Sequence, residues 1–211
     1  MIHIVKGAPL DDFTDFVQNE HPTNWDDIHH SKRHPGLGKK CREHILLNEQ
    51  NVLGGYTERP LWNTHADLHI DHFKKKGMNW PQDVTWEWDN FIVEDRNPYY
   101  GACYKDTHTS DMADYDLLLN PVSEHPERLM TYLPDGQIMA RTDIDKQDSK
   151  RATFTIERFN LGHESLRQMR YEIMKQIESY NQLTDDEIRV ALESQGFPSV
   201  VEWALQVRAI L

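Results

Sequence analysis

The stretch His69-Ile70-Asp71-His72-Phe73-Lys74-Lys75-Lys76 holds the densest set of reactive side chains in the chain. In a strand, neighbouring side chains point to opposite faces, so Asp71 and His72 serve one site only where the strand ends or bends. At such an end the carboxylate is a hard oxygen ligand suited to Mg²⁺ or Mn²⁺. The imidazole beside it titrates near neutrality and suits a general base. Lys74, Lys75 and Lys76 would meet a phosphate backbone as point charges. Further on, Trp86-Glu87-Trp88-Asp89-Asn90-Phe91 offers Asn90, whose side-chain carbonyl would orient the His72 ring and pin its tautomer. Metal, base, orienter and cation are the parts of a one-metal phosphodiesterase. The plainer reading of an Asp-His pair in a chain with 12 histidines is a surface imidazole beside a solvated aspartate.

These residues need elements to hold them. Residues 1–50 read as helical, with Phe13, Phe16 and Val17 on one stripe and Leu37, Cys41, His44 and Ile45 on another. Residues 51–160 read as the core of the chain. Strands are expected at Ala66–Phe73, Asn90–Val93 and Ala152–Ile156. Leu129–Leu133 and Ile138–Arg141 flank Asp135-Gly136, a hairpin signal, because Asp-Gly tolerates the positive φ of a tight turn. Residues 161–211 return to helix. Leu166, Met169, Ile173, Ile177 and Tyr180 share a face, Thr184 to Glu187 spells a capping box, and Val200–Leu211 closes the chain. The fold class expected is α+β.

The chain has 211 residues, 23 Lys/Arg against 35 Asp/Glu and a net charge of −12, enough length for a core and too acidic to be drawn to nucleic acid by its overall field. The charge is uneven: residues 29–44 carry five Lys/Arg and four His, whereas residues 83–116 carry nine Asp/Glu against Arg96 and Lys105. The basic stretch reads either as a nucleic-acid-facing patch or as the solvated side of a helix. Trp62, Trp80, Trp86 and Trp88 read as core or partner interface, and His163 as structural. With two cysteines, Cys41 and Cys103, a disulfide framework and a four-cysteine zinc site are excluded, and a reducing cytoplasm is the simplest setting. No apolar run is long enough for a membrane span.

Several blocks in order, Cys41–Gln50, Leu53-Gly54-Gly55-Tyr56-Thr57-Glu58, His69–Lys76 and Trp88-Asp89-Asn90-Phe91, resemble the HNH endonuclease family associated with retrons and Septu-type anti-phage systems (PtuB-like). The likeness continues through Leu119-Asn120-Pro121, Asp135-Gly136 and Ala152–Ile156 to Leu161 and Leu166, covering about residues 40 to 175. It implies a ββα-metal nuclease core flanked by N-terminal and C-terminal helices. By position, it makes Asp71 the first metal ligand, His72 the base and Asn90 the middle HNH residue. Lys76 matches the lysine after the histidine block, and Glu58 a glutamate after a Leu-Cys-x-Tyr-Cys stretch. Lys105 matches a lysine that follows the last HNH residue. That last residue falls on Cys103 by spacing and on Asp106 or His108 by chemistry, while Cys103 reads equally well as a small buried apolar residue. Gly54 and Thr57 stand where relatives carry cysteines, and no cysteines lie near Asp95, so a structural zinc is not expected.

The resemblance implies an effector subunit working with an ABC-type ATPase and, in retrons, with a reverse transcriptase and its RNA–DNA hybrid. Lys74, Lys75, Lys76 and Lys105 are the expected nucleic-acid contacts. Two other functions fit the same residues: a catalytically inactive HNH-like scaffold, and a metal-dependent hydrolase of a small phosphoester.

Overall fold

The computed structural model describes residues 1–62 and 67–209. Ala66, the expected start of the first strand, and Leu211, the expected end of the last helix, lie outside them. The described residues form a mixed α+β fold with eight α-helices and two small antiparallel sheets. No helix among them is long and apolar enough to cross a membrane.

The sheet that matters pairs β1 (Leu68–His72) with β2 (Phe91–Asp95), His69 opposite Glu94 and Asp71 opposite Ile92. Alternation gives the sheet two unlike faces. Ile70, Phe91 and Val93 pack into an apolar cluster with Phe13, Phe16, Ile28, Leu37, Cys41 and Ile45. These come from the N-terminal helices α1 (Asp11–Asp15), α2 (Asp27–His30) and α3 (Leu37–Asn48), and from a π-turn at Phe16–Glu20. Ile92, on the other face, joins a second cluster with Tyr56, Phe73, Ala102 and Phe159. The helix α4 (Gly101–His108) crosses that face and packs on β2.

The second hairpin joins β3 (Met130–Tyr132) to β4 (Ile138–Ala140) across the expected Asp135-Gly136 turn. Gly136 sits at φ +81°, and a Cβ there would lie 2.3 Å from the Arg167 carbonyl oxygen, so the turn needs glycine for both conformation and contact.

Ala152–Ile156 is not a strand. It lies inside α5 (Lys146–Arg158), whose Asp145 side chain caps the Gln147 and Asp148 amides. Ala152, Thr155 and Phe159 are fully buried, a spacing of three and four that belongs to a helix face. The helix starts at the Asp145 cap, seven residues before Ala152, and the alternation at residues 152–156 lies inside it.

Next come α6 (Glu164–Ser179), α7 (Asp185–Leu192) with the expected Thr184–Glu187 capping box, and α8 (Pro198–Arg208). His163 caps α6 by accepting the Ser165 amide. Glu58 is buried. Its carboxylate pairs with the Met1 amino group and accepts the Ser199 amide (2.9 Å) and hydroxyl (2.6 Å), tying the first residue to the start of α8.

Gly54 and Thr57 close on a carboxylate. Glu94 accepts the Tyr56 amide (3.1 Å), the Thr57 amide (3.2 Å) and the Thr57 hydroxyl (3.2 Å). A Cβ on Gly54 would lie 2.2 Å from Glu94 Oε1, so only glycine leaves the carboxylate its place. Burial, and then the neighbouring Asp95 charge, push Glu94 up to about 8.

Candidate active site

Asp71 and His72 end β1 and leave it on opposite sides. Both are 3% exposed. The Asp71 carboxylate faces α4, where its Oδ2 accepts the Tyr56 hydroxyl and takes Lys105 Nζ at 2.7 Å. Lys105 is fully buried, and its ammonium also donates to the carbonyls of His72 (2.9 Å) and Phe73 (3.1 Å). Burial pulls this lysine down, but Asp71 and Asp106 outweigh it and hold the pKa above its usual value. Lys105 is therefore part of the interior and is not placed to meet a phosphate backbone.

The His72 ring lies edge-on to Trp25 and Phe91, with ring centroids 4.5 and 5.0 Å away. Its Nε2 is 3.0 Å from the Thr85 carbonyl oxygen. A carbonyl only accepts, so Nε2 carries the proton and Nδ1 is the basic nitrogen. Lys76 Nζ is 3.4 Å from Nδ1 and lies over the Trp25 ring. Burial, and then the Lys76 charge, lower the His72 pKa to about 4.

Asn90 does not orient this ring. Its side-chain carbonyl accepts the Lys74 amide (2.7 Å), and its Nδ2 donates to the carbonyls of Lys74 (3.0 Å) and Val84 (3.0 Å). Asn90 is thus a buckle across the loop between β1 and β2, and the Thr85 carbonyl orients His72 instead. Asn90 points its amide at the backbone because the loop, not the ring, passes its side of the sheet.

The lysine run splits three ways. Lys74 Nζ lies over Trp80, Lys75 Nζ donates to the Asp106 carbonyl (2.8 Å), and Lys76 approaches His72. Beside Asn90, a cleft of about 420 Å³ is lined by Lys74, Glu87, Asp89, Tyr115, Asp116 and Arg151, and Arg151 is paired with Glu124. In the stretch 29–44, His34 pairs with Asp15 and Lys40 with Asp12 inside the N-terminal region, and the Arg42 guanidinium donates to the Leu68 carbonyl of β1.

On α4, His108 turns away from Asp71. It is exposed, stacks on Tyr104 at 3.7 Å, and engages the Tyr104 carbonyl through Nδ1. Lys105 takes the Asp71 side of α4, and the His108 ring folds back over the preceding turn onto Tyr104. Cys103 is half-buried, its thiol pushed up by burial and then by Asp71. Asp106 is the residue that reaches the site, with Oδ1 3.2 Å from Lys105 Nζ.

Do these residues fit a divalent ion? Among the described residues, no group of three or more His, Cys, Asp or Glu is placed to hold a metal. The Asp71 Oδ2 that would lead such a set is shared by a hydroxyl and an ammonium. The donor set at Asp71 as it stands does not fit Mg²⁺ or Mn²⁺.

Tyr56, Thr85 and Trp25 were not legible as site residues. Thr85 acts through its backbone, and Trp25 lies 47 positions before His72 with no spacing to link them. Tyr56 carried one faint signal, a phenol inside the tight Gly54–Glu58 turn. No family model matches the chain, and no curated protein matches it either.

Proposed function

We propose that the chain is an HNH-type endonuclease that hydrolyses phosphodiester bonds in nucleic acid. Within this reading it is the effector subunit of a cytoplasmic anti-phage complex, beside an ABC-type ATPase and, in a retron setting, a reverse transcriptase with its RNA–DNA hybrid. The observation that supports it is the His72 ring, whose Nε2 is anchored to the Thr85 carbonyl so that Nδ1 is the proton acceptor. Nδ1 would take a proton from water as the water oxygen attacks phosphorus and the P–O bond to the leaving sugar oxygen breaks, that oxygen taking its proton from a second water. A pKa near 4 keeps the ring neutral but makes it a weak base. A bound phosphate would raise it by adding a negative charge and by drawing Lys76 away from Nδ1. The acidic lining of the cleft beside Asn90 opposes nucleic acid, which fits a subunit whose partners bring the substrate. No step is routed through the Mg²⁺ or Mn²⁺ that the resemblance implies at Asp71.

The deep burial of both Asp71 and His72 supports a second reading, an inactive HNH-like scaffold. His72→Ala, assayed for cleavage of DNA and RNA with the partner subunits present, separates them. The nuclease reading expects a loss of at least about a hundredfold. Unchanged cleavage or unchanged phage defence would leave only the scaffold.

A further inference from the structure

Four oxygens surround Lys105 Nζ: Asp71 Oδ2 at 2.7 Å, the His72 carbonyl at 2.9 Å, the Phe73 carbonyl at 3.1 Å and Asp106 Oδ1 at 3.2 Å. They come from two elements, the end of β1 with its following residue and the middle of α4. An ammonium has three donors and cannot satisfy four acceptors. The shortfall falls on Asp106 Oδ1, a buried carboxylate oxygen that makes no hydrogen bond. The ammonium has no alternative seat in view, since the rings of Tyr56 and Phe73 flank it at 5.7 and 5.9 Å.

We propose that Lys105 Nζ is itself the resident cation of the Asp71 site, a tethered ammonium in a four-oxygen cage that keeps divalent ions from Asp71. A metal ion has no donor limit and would use all four oxygens, two of them hard carboxylates. It reaches them only by displacing a fully buried charge. The positive charge beside Asp71 is therefore built into the fold and independent of metal concentration. With the ammonium removed, the same cage becomes an ion site. The inference concerns the site of the proposed hydrolysis but rests on its own geometry, and its test reads no cleavage, so the two fail separately.

The test is Mn²⁺ binding by the full chain, followed by electron paramagnetic resonance, in wild type, Asp71→Asn, Lys105→Ala and the double variant. Wild type and Asp71→Asn should bind Mn²⁺ alike. Lys105→Ala should gain a site at least about tenfold tighter, lost again in the double variant. A wild-type site abolished by Asp71→Asn overturns the proposal, as does a folded Lys105→Ala that gains nothing. Should the variants fail to fold, wild type with ¹⁵N-labelled lysine decides. A Lys105 ammonium resonance that stays in place and unbroadened through a Mg²⁺ titration supports the cage, and one displaced by Mg²⁺ overturns it.

Discussion

Asp71 and His72 are consecutive in the chain, equally buried, and placed in opposite electrostatic settings. On the α4 face a charged carboxylate is matched by a fully buried ammonium, two backbone carbonyls and a phenol. On the N-terminal face a neutral imidazole sits among aromatic rings, with one carbonyl on one nitrogen and a lysine from the surface on the other. The first arrangement has its charges closed inside the fold. The second keeps a basic nitrogen, Nδ1, whose nearest cation is Lys76, seated over the Trp25 ring. Two neighbouring residues thus sit in different settings, a neutralised charge on one side and a neutral ring among aromatics on the other, because successive side chains of a strand leave it on opposite faces.

The sharpest way to break this comparison is to remove the buried ammonium. Lys105→Met leaves the Asp71 carboxylate buried without its charge partner, and should cost about 3–5 kcal/mol in urea unfolding. Lys76→Met, next to the other member of the pair, should cost under about 1 kcal/mol, since Lys76 is an exposed residue with no carboxylate hydrogen-bond partner among the described residues. Similar losses at both positions would mean that the two faces are not built differently.

The two faces should also respond oppositely to pH. His72 is held near 4, below its ordinary 6.5, so the folded chain binds fewer protons there than the unfolded chain. Its contribution is present above pH 6.5 and is lost as pH falls through 6.5 toward 4, a change on the order of 3 kcal/mol. Glu94, behind the α4 face, is raised from 4.5 to about 8, so the folded chain binds more protons there. Its contribution is present below pH 4.5 and is lost as pH rises through about 8. Subtracting the stability–pH curve of His72→Leu from wild type should leave a rising slope, and subtracting that of Glu94→Gln a falling one. Two slopes of one sign would sink the assignment.

Part of this design was written in local signals. Asp135-Gly136 announced its turn, Thr184–Glu187 its helix, and the β-branched Ile92-Val93 beside Phe91 a buried strand. Asp71 and His72 at a strand end were readable for the same reason: alternation is a property of neighbours. What stayed hidden depended on elements that meet only in the folded chain. Lys105 was expected at a phosphate because the resemblance matches it to a lysine after the last HNH residue; nothing in residues 101–108 says that a carboxylate from β1 waits beneath it. Asn90 was read toward the wrong partner because its true ones, Lys74 and Val84, are backbone groups, which any residue could have supplied.

Asn90 allows a smaller test, of the loop that both faces share. Asn90→Ala removes three hydrogen bonds to the Lys74 and Val84 backbone and should cost about 2 kcal/mol. Hydrogen exchange should rise at the Lys74 amide while the amides paired between β1 and β2 stay protected. An equal rise along both strands would make Asn90 part of the sheet and not a buckle on its loop.

The smallest effect is the most specific to the His72 side. Lys76 Nζ lowers the imidazole pKa by its charge, after burial. Lys76→Met removes that charge and leaves the Thr85 carbonyl and the Trp25 and Phe91 rings in place. The His72 pKa, followed by NMR through the ring carbon protons, should rise while the Nε2-protonated tautomer persists. The rise should shrink in high salt, because Lys76 reaches the ring from the surface, where a charge is screened within roughly 8–10 Å. A change of tautomer would mean that Lys76 and not Thr85 orients the ring. An unmoved pKa would mean that burial alone sets it, leaving no cation for a phosphate to draw away.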